Sequence, residues 1–361
     1  MQQHGPKDAI KGRGAPLNDG STRFNLPQRE ADGDWLDALL DIDGAPHRPR
    51  TTVAIEHPRT IITRNSSPDI GFDRSINAYR GCEHGCIYCF ARPSHAYHDL
   101  SPGLDFETKL FAKPDAARLL RVELAKPGYR VAPIAMGTNT DPYQPIESKW
   151  RITRQCIEVL AETRHPLLIT TKSDRILRDI DLLSAMAADS LVAVAVSVTS
   201  LDPVISRTLE PRAPHPEKRL AAVHTLAQAG VPAYVNIAPV VPAITDHELE
   251  AILERAAQAG AAGAHFMLVR LPHEVAPLFR AWLDAHYPDR AGKVMHIIQS
   301  VRGGRDNNPH YFERMRGQGV WADLFRARYR KAMARLGMER KSVSLRTDLF
   351  TPPQGAQLRL F

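Results

Sequence analysis

Short apolar runs alternate with amphipathic segments along the middle of this chain, and that alternation leaves few folds open. The runs recur at Ile134–Met136, Leu167–Thr171, Leu191–Val198, Ala233–Val241 and Gly263–Val269. Between them, Ile152, Cys156, Val159 and Leu160 share one helical face, as do Leu249, Ile252, Leu253, Ala256 and Ala257. Thr245 with Glu248 reads as a capping box, Pro216 as a first-turn proline, and Gly230 and Gly260 as helix stops. Strands separated by helices pair in parallel, because a parallel pair needs a crossover. With a strand near Ser75–Arg80 the count is about six βα units. The expected fold is α/β, an open or partial (β/α)6 barrel, although a flat doubly wound sheet carries the same alternation. Val192, Val194, Val196 and Val198 point to one side of their strand, and Ala193, Ala195, Ser197 and Thr199 to the other. A branched face for helices and a small, polar face for a lumen favour the barrel. Its function then belongs at the C-terminal ends of the strands.

The flanks differ in composition. Residues 1–50 are rich in Gly, Pro, Asp and Arg and read as a flexible leader with one short helix around Trp35–Leu40. Residues 70–285 form the expected core, and 290–361 an Arg-rich, partly helical extension and tail. A chain of 361 residues with 43% hydrophobic content can bury a core without staples, and four cysteines do not make a disulfide framework. No apolar run is long enough to span a membrane, so no membrane association is expected. The polar N-terminus lacks a signal-peptide core. A cytoplasmic location with reduced thiols is therefore expected. A net charge of +7 permits nucleic-acid binding without requiring it.

The chemistry concentrates in Arg80-Gly81-Cys82-Glu83-His84-Gly85-Cys86-Ile87-Tyr88-Cys89. Thiolates of Cys82, Cys86 and Cys89 can bind three irons of a [4Fe–4S] cluster and leave the fourth without a protein ligand. An open coordination site is a place for substrate chemistry. The same cysteines with His84, His95 or His98 could instead make a Cys3His zinc site. Cys156 lies on the apolar stripe of its helix and reads as core packing.

The spacing of Cys82, Cys86 and Cys89, with Tyr88 before the last cysteine, resembles the radical S-adenosylmethionine (SAM) superfamily. Asn77-Ala78-Tyr79-Arg80-Gly81-Cys82, the stretch Gly137-Thr138-Asn139-Thr140-Asp141-Pro142-Tyr143-Gln144-Pro145-Ile146-Glu147 and Thr170-Thr171-Lys172-Ser173 resemble its branch containing spore photoproduct lyase and bacterial proteins called DNA repair photolyases. The resemblance implies a partial (β/α)6 core, a [4Fe–4S] cluster on the three cysteines, and SAM chelating the unique iron. It places the methionyl amine at Gly137, Thr138, Asn139 and Asp141, although that stretch departs from the common Gly-Gly-Glu form. Lys172 would pair with the methionyl carboxylate. Ser197 and Thr199 would bond the ribose or that carboxylate, while Tyr88 and Ala238 would lie near the adenine.

The implied reaction is reductive cleavage of SAM, driven by an external one-electron donor of flavodoxin or ferredoxin type. The resulting 5′-deoxyadenosyl radical takes hydrogen from a substrate that the sequence does not identify. Two other readings stay open: a zinc-stabilised nucleic-acid module, and an iron–sulfur protein for electron transfer alone. Nucleic acid enters through the tail, where arginines from Arg302 to Arg346 interleave with Tyr311, Phe312, Trp321, Phe325 and Tyr329. The same mixture suits an amphipathic helix that docks by its aromatics. The lyase resemblance includes a hydrogen-donor cysteine near the active site. Only Cys156 remains here outside the cluster motif, so repair activity does not transfer directly.

Overall fold

The computed structural model describes residues 12–24, 50–338 and 344–353. The helix expected around Trp35–Leu40 lies outside the described residues.

Six strands run parallel in chain order: β3 (Arg74–Ile76), β6 (Ile134–Met136), β7 (Leu167–Thr171), β8 (Val192–Ser197), β9 (Ala233–Val240) and β10 (Gly263–Leu268). A seventh, β2 (Ile62–Arg64), pairs antiparallel with β3 and makes the other edge. No pairing joins β2 to β10 among the described strands, so the barrel is partial. A second sheet of three strands sets β5 (Lys109–Ala112) between β1 (Thr52–Ile55) and β4 (Tyr79–Arg80). The strand expected near Ser75–Arg80 is therefore two strands in two sheets. They part at Asn77, whose side chain accepts from the Asn139 N–H at 2.9 Å and meets Thr138, so it joins the loop after β6.

Helices α1 (Ala116–Leu124), α2 (Ile152–Glu162), α3 (Ile180–Ala188), α4 (Pro203–Leu209), α5 (Pro216–Gln228) and α6 (Leu249–Gln258) supply the crossovers. Pro216 opens α5, and Gly230 and Gly260 follow α5 and α6 with φ of 75° and 81°. The Thr245–Glu248 pair is not a capping box. The Thr245 hydroxyl accepts from Val241 N–H, and the Glu248 carboxylate accepts from the Ser200 hydroxyl and the N–H groups of Leu201 and Asp202. Glu248 thereby ties the loop after β8 to the start of α6.

Register separates the two faces of the sheet. Val192, Val194, Val196, Val235 and Ile237 join one apolar core with Ile152, Cys156, Val159 and Leu160 of α2 and Leu249, Ile252 and Leu253 of α6. The opposite face sets Ser75, Ala135, Leu168 and Ala193 in one row, Thr170, Ala195 and Tyr234 in the next, and Ser197, Asn236 and His265 in a third. Apart from Leu168 and Tyr234, this face carries small or polar side chains, in contrast to the branched face that packs on the helices.

After β10 the chain continues as α7 (Val275–His286), α8 (Pro288–Ser300) and α9 (Gly319–Arg335). Phe325 of α9 is buried edge-on to Phe266 of β10 and stacks on Trp321. Arg328 and Arg335 pair with Glu250 and Glu254 of α6. The helix thus docks by its aromatics with its arginines at the margin. Residues 312–314 reach the far edge of the sheet: Arg314 is bidentate to Asp69, in the turn between β2 and β3, at 2.7 and 2.6 Å. Residues 344–353 lie at the N-terminal ends of the strands, with Arg346 N–H on Ser190 O and Thr351 N–H on Thr163 O.

Candidate active site

The three cysteines sit on a loop that leaves β4 and wraps tightly. Gly81 and Gly85 have φ of 71° and 67°. A Cβ on Gly81 would lie 2.6 Å from Leu110 Cδ2, and one on Gly85 2.6 Å from Glu107 Oε2, so only glycine fits at either position. Arg92, three residues past Cys89, organises the loop from beneath. Its fully buried guanidinium donates to the carbonyls of Cys86, Gly85, Pro102 and Gly103 and to Glu107 Oε1 at 2.6 Å. These contacts use all the N–H donors of the guanidinium. Glu107 in turn accepts from the N–H groups of Gly14 and Ala15 at 3.0 and 2.8 Å. Part of the segment expected to be a flexible leader is thus packed under the cysteines, with Ala15 buried.

From above, the loop after β6 holds the same turn. Thr140 donates to Gly81 O at 2.6 Å, and Gln144 accepts from Glu83 N–H at 2.9 Å. Gly137 has φ of 87°, and a Cβ there would overlap the Thr170 carbonyl of the adjacent strand. Asp141 spends both oxygens on the protein. It accepts from Thr171 Oγ1, Tyr143 N–H and Lys172 N–H and lies 3.3 Å from His84 Nδ1. Burial opposes its charge, but His84, the Lys172 amide and Thr171 outweigh that and hold the carboxyl down at about 2.

Cys82 and Cys86 are buried and Cys89 is half-buried. Burial raises the Cys82 thiol well above its ordinary range and pushes Cys86 up to about 12. Bound metal would be needed to ionise them. Three cysteine thiols on one loop, with the fourth cysteine in another part of the core, are the donor chemistry of a four-iron cluster, in which each thiolate takes a different iron. Cys156 is buried in the main core, a different apolar cluster from those that hold Cys82, Cys86 and Cys89.

The other expected residues gather beside Cys86. The Tyr88 hydroxyl donates to Glu210 and lies 3.4 Å from Thr199 Oγ1. Thr199 also donates to Glu210, at 2.7 Å, and approaches Ala238 O. Lys172 Nζ stands 5.8 Å from the centre of the Tyr88 ring and has no carboxylate within ion-pairing distance among the described residues. Burial lowers its pKa, but Cys86 and Glu210 outweigh this, and the amine stays protonated. Ser197 is buried, and its hydroxyl makes no hydrogen bond to a described residue. Thr138 and Asn139 stand apart from this group, over Asn77.

Glu210 stands just past α4, at the end of the loop after β8. The structure buries it against Arg219, 2.5 Å away and equally buried. Burial raises the Glu210 carboxyl, yet Arg219 and Lys172 hold it below its ordinary value. The roles of Arg92, Glu107 and Arg219 were not anticipated. The available signal was a lone arginine just past Cys89; Glu107 and Arg219 lie within 15 positions of their partners, but on other elements and at no helical or strand spacing. On the outer side of the cysteine loop, a cleft of about 450 Å³ is lined by His84, Ser173, Arg175, Arg212, His215 and Lys218, among others.

The sequence profile of the radical SAM superfamily matches residues 76–256. An uncharacterised protein of Mycobacterium tuberculosis is 38% identical over 247 residues, covering 68% of this chain and 72% of that protein. An uncharacterised protein of Methanocaldococcus jannaschii is 30% identical over 173 residues, covering 48% of this chain and 62% of its own. Among solved structures, a spore photoproduct lyase variant matches with a TM-score of 0.55 and 16% identity, covering 80% of each chain. The lyase complexed with dinucleoside spore photoproduct matches equally, over 79% of each. At that identity the lyases share the fold.

Proposed function

This chain belongs to the radical SAM superfamily, and from that we propose an enzyme that holds a [4Fe–4S] cluster on Cys82, Cys86 and Cys89 and cleaves SAM reductively. Bound together, cluster and SAM supply a 5′-deoxyadenosyl radical that abstracts hydrogen from the substrate. One observation carries this reading: three thiols share a glycine-hinged loop at the mouth of the barrel while the fourth cysteine is locked in the core, so one iron is left for SAM.

The protein's residues bind and orient. Lys172 has a protonated amine with no carboxylate within ion-pairing distance among the described residues, which suits the methionyl carboxylate. The buried Ser197 hydroxyl and the Thr199–Tyr88–Glu210 network supply polar contacts on the same side, with Ala238 in the adjacent strand as an adenine wall. Gly137, Thr138 and Asn139, on the loop after β6, would offer backbone carbonyls to the methionyl amine, with the Thr138 hydroxyl and the Asn139 N–H held by Asn77. Asp141, fully engaged with the protein, positions this loop. Closing this site excludes water and stray hydrogen donors. A flavodoxin- or ferredoxin-type donor fits the cationic cleft outside His84, and reduced thiols suit a cytoplasmic setting.

The test is anaerobic reconstitution with iron and sulfide. The wild-type chain should take up about four irons and, given dithionite and SAM, release 5′-deoxyadenosine. Cys82→Ala, Cys86→Ala and Cys89→Ala should each lose the cluster, and Cys156→Ala should keep it. Stoichiometric zinc without sulfide, or a cluster that survives loss of any of the three, would sink the proposal.

A further inference from the structure

The carboxylate of Glu210 faces two ways. Its Oε1 accepts from the Tyr88 hydroxyl and, at 2.7 Å, from Thr199 Oγ1, while Oε2 lies 2.5 Å from Arg219 Nη1. Arg219 is itself fully buried and tied to the framework. It donates to Pro214 O at 2.7 Å and, at 3.2 Å, to the carbonyl of Ser197, the last residue of β8. The chain around Glu210 runs along the cysteine loop, with Ile87 N–H on Leu209 O at 3.0 Å, Arg212 N–H on His84 O at 3.3 Å and Arg212 Nη2 3.1 Å from Glu83. One carboxylate thus joins the cysteine loop, through Tyr88, to the chain just past β8, through Thr199.

Charge decides where the hydroxyl protons point. Arg219 and Lys172 keep the Glu210 carboxyl ionised despite its burial. An ionised carboxylate has no proton and can only accept. Tyr88 and Thr199 carry one hydroxyl proton each, and both spend it on Glu210. The competing acceptors are Ala238 O, for Thr199, and the two hydroxyls for one another. Each is 3.4 Å away and uncharged, so it loses the proton to the shorter, charge-assisted bond. Toward a ligand these two hydroxyls therefore offer lone pairs alone. Lys172, whose amine stays protonated near the Tyr88 ring, offers donors alone. The surroundings of Cys86 thus have a donating corner at Lys172 and an accepting one at Tyr88 and Thr199.

We infer that Glu210 is a positioning residue that sets this polarity: it turns the Tyr88 and Thr199 hydroxyls into acceptors for donor groups of the bound cofactor, a ribose hydroxyl or the adenine amine, and leaves the methionyl carboxylate to Lys172. The inference rests on the radical SAM reading, and it decides between the two partners, ribose and carboxylate, that the place of Thr199 in the sequence leaves open. Glu210→Gln inverts the polarity. Arg219 has only donors, so the amide oxygen turns to it and the amide NH2 faces the two hydroxyls. Both hydroxyls then accept from the amide and donate outward.

The test is equilibrium binding to the anaerobically reconstituted protein of SAM and of analogues that exchange one donor for an acceptor: fluorine for the 2′- or the 3′-hydroxyl, or a carbonyl for the adenine amine. The wild-type protein should bind at least one analogue about tenfold more weakly than SAM, the loss of roughly one hydrogen bond. In Glu210→Gln that gap should close to within about threefold, with cluster absorbance unchanged. Thr199→Val and Tyr88→Phe each delete one hydroxyl and leave the Glu210–Arg219 pair in place, and at least one of them should close the gap as well. Should Glu210→Gln fail to fold with Arg219 unpaired, these two variants decide the matter. No discrimination in the wild-type protein, a full gap in folded Glu210→Gln, or a full gap in both hydroxyl variants would overturn the inference. So would an equal loss of SAM and every analogue in Glu210→Gln, the mark of a carboxylate that only supports the fold. A protein that takes up the cluster and binds no SAM would remove the radical reading together with the inference, whereas SAM binding without discrimination would remove the inference alone.

Discussion

Lys172 and Asp141 end up in opposite conditions although both stand at strand ends on the same side of the barrel. Asp141 accepts from Thr171, Tyr143 and Lys172 and faces His84, so little of its carboxylate is left for a ligand. Lys172 faces a ring and has no ion pair among the described residues. A cation without an ion pair contributes most when an anion arrives, on the order of 1.5–3 kcal/mol for a hydrogen bond to a charged group. Lys172→Ala should therefore weaken SAM binding by roughly ten- to a hundredfold and leave cluster absorbance intact. Equal SAM affinity in the variant, measured by equilibrium dialysis of the reconstituted protein, would take Lys172 out of the site.

Among the elements, α9 shows how an arginine-rich helix with aromatics resolves into core and margin. Phe325 is 2% exposed and touches Phe266 and Trp321, whereas the Arg328–Glu250 pair has side chains 40% and 36% exposed. A buried phenylalanine lost to alanine costs about 3–5 kcal/mol, and an exposed ion pair contributes about 0–1 kcal/mol. Phe325→Ala should lower the denaturation midpoint strongly and Arg328→Gln hardly at all. Comparable losses in the two variants would mean that charge holds this helix. The five strands from β6 to β10 were legible in the sequence to within a residue or two, because an apolar run flanked by turn residues marks its own ends; the short β1, β2 and β5 carry no such run and were not. The break after β3 was not: Asn77 leaves the sheet to bond the Asn139 amide, a partner 62 positions away. The Thr245–Glu248 capping signal misled for the same reason, since Glu248 is drawn off by the loop after β8.

At the scale of the whole molecule, the last described segment covers the N-terminal ends of the strands and buries a histidine there. His165 accepts from or donates to the Tyr129 hydroxyl at 2.9 Å, approaches Pro166 O at 3.0 Å, and lies edge-on to Phe350. Burial pushes its pKa down to about 4. Between pH 6.5 and 4 the unfolded chain then binds a proton that the folded chain does not, so stability falls as pH drops through that window. For this one group the loss approaches roughly 3 kcal/mol. Melting temperature should decline across that range, and His165→Gln should flatten the decline even if its melting point at neutral pH is lower. An unchanged slope would assign the acid sensitivity to other groups.

The alternation of strands and helices, the small and polar face of β8, the three-cysteine loop and the core position of Cys156 all follow from local spacing, because each is written within a few residues of chain. Tertiary structure alone decided which charges are spent and which are free. Arg92 with Glu107, Glu210 with Arg219 and Arg314 with Asp69 pair across loops and between elements, none at the spacing of a helix or strand period. A buried charge must find a partner wherever the fold brings one, and sequence spacing carries no record of which one it finds. Lys172 is open to a ligand for that reason: the fold set it by Tyr88 of the cysteine loop with no carboxylate within ion-pairing distance among the described residues.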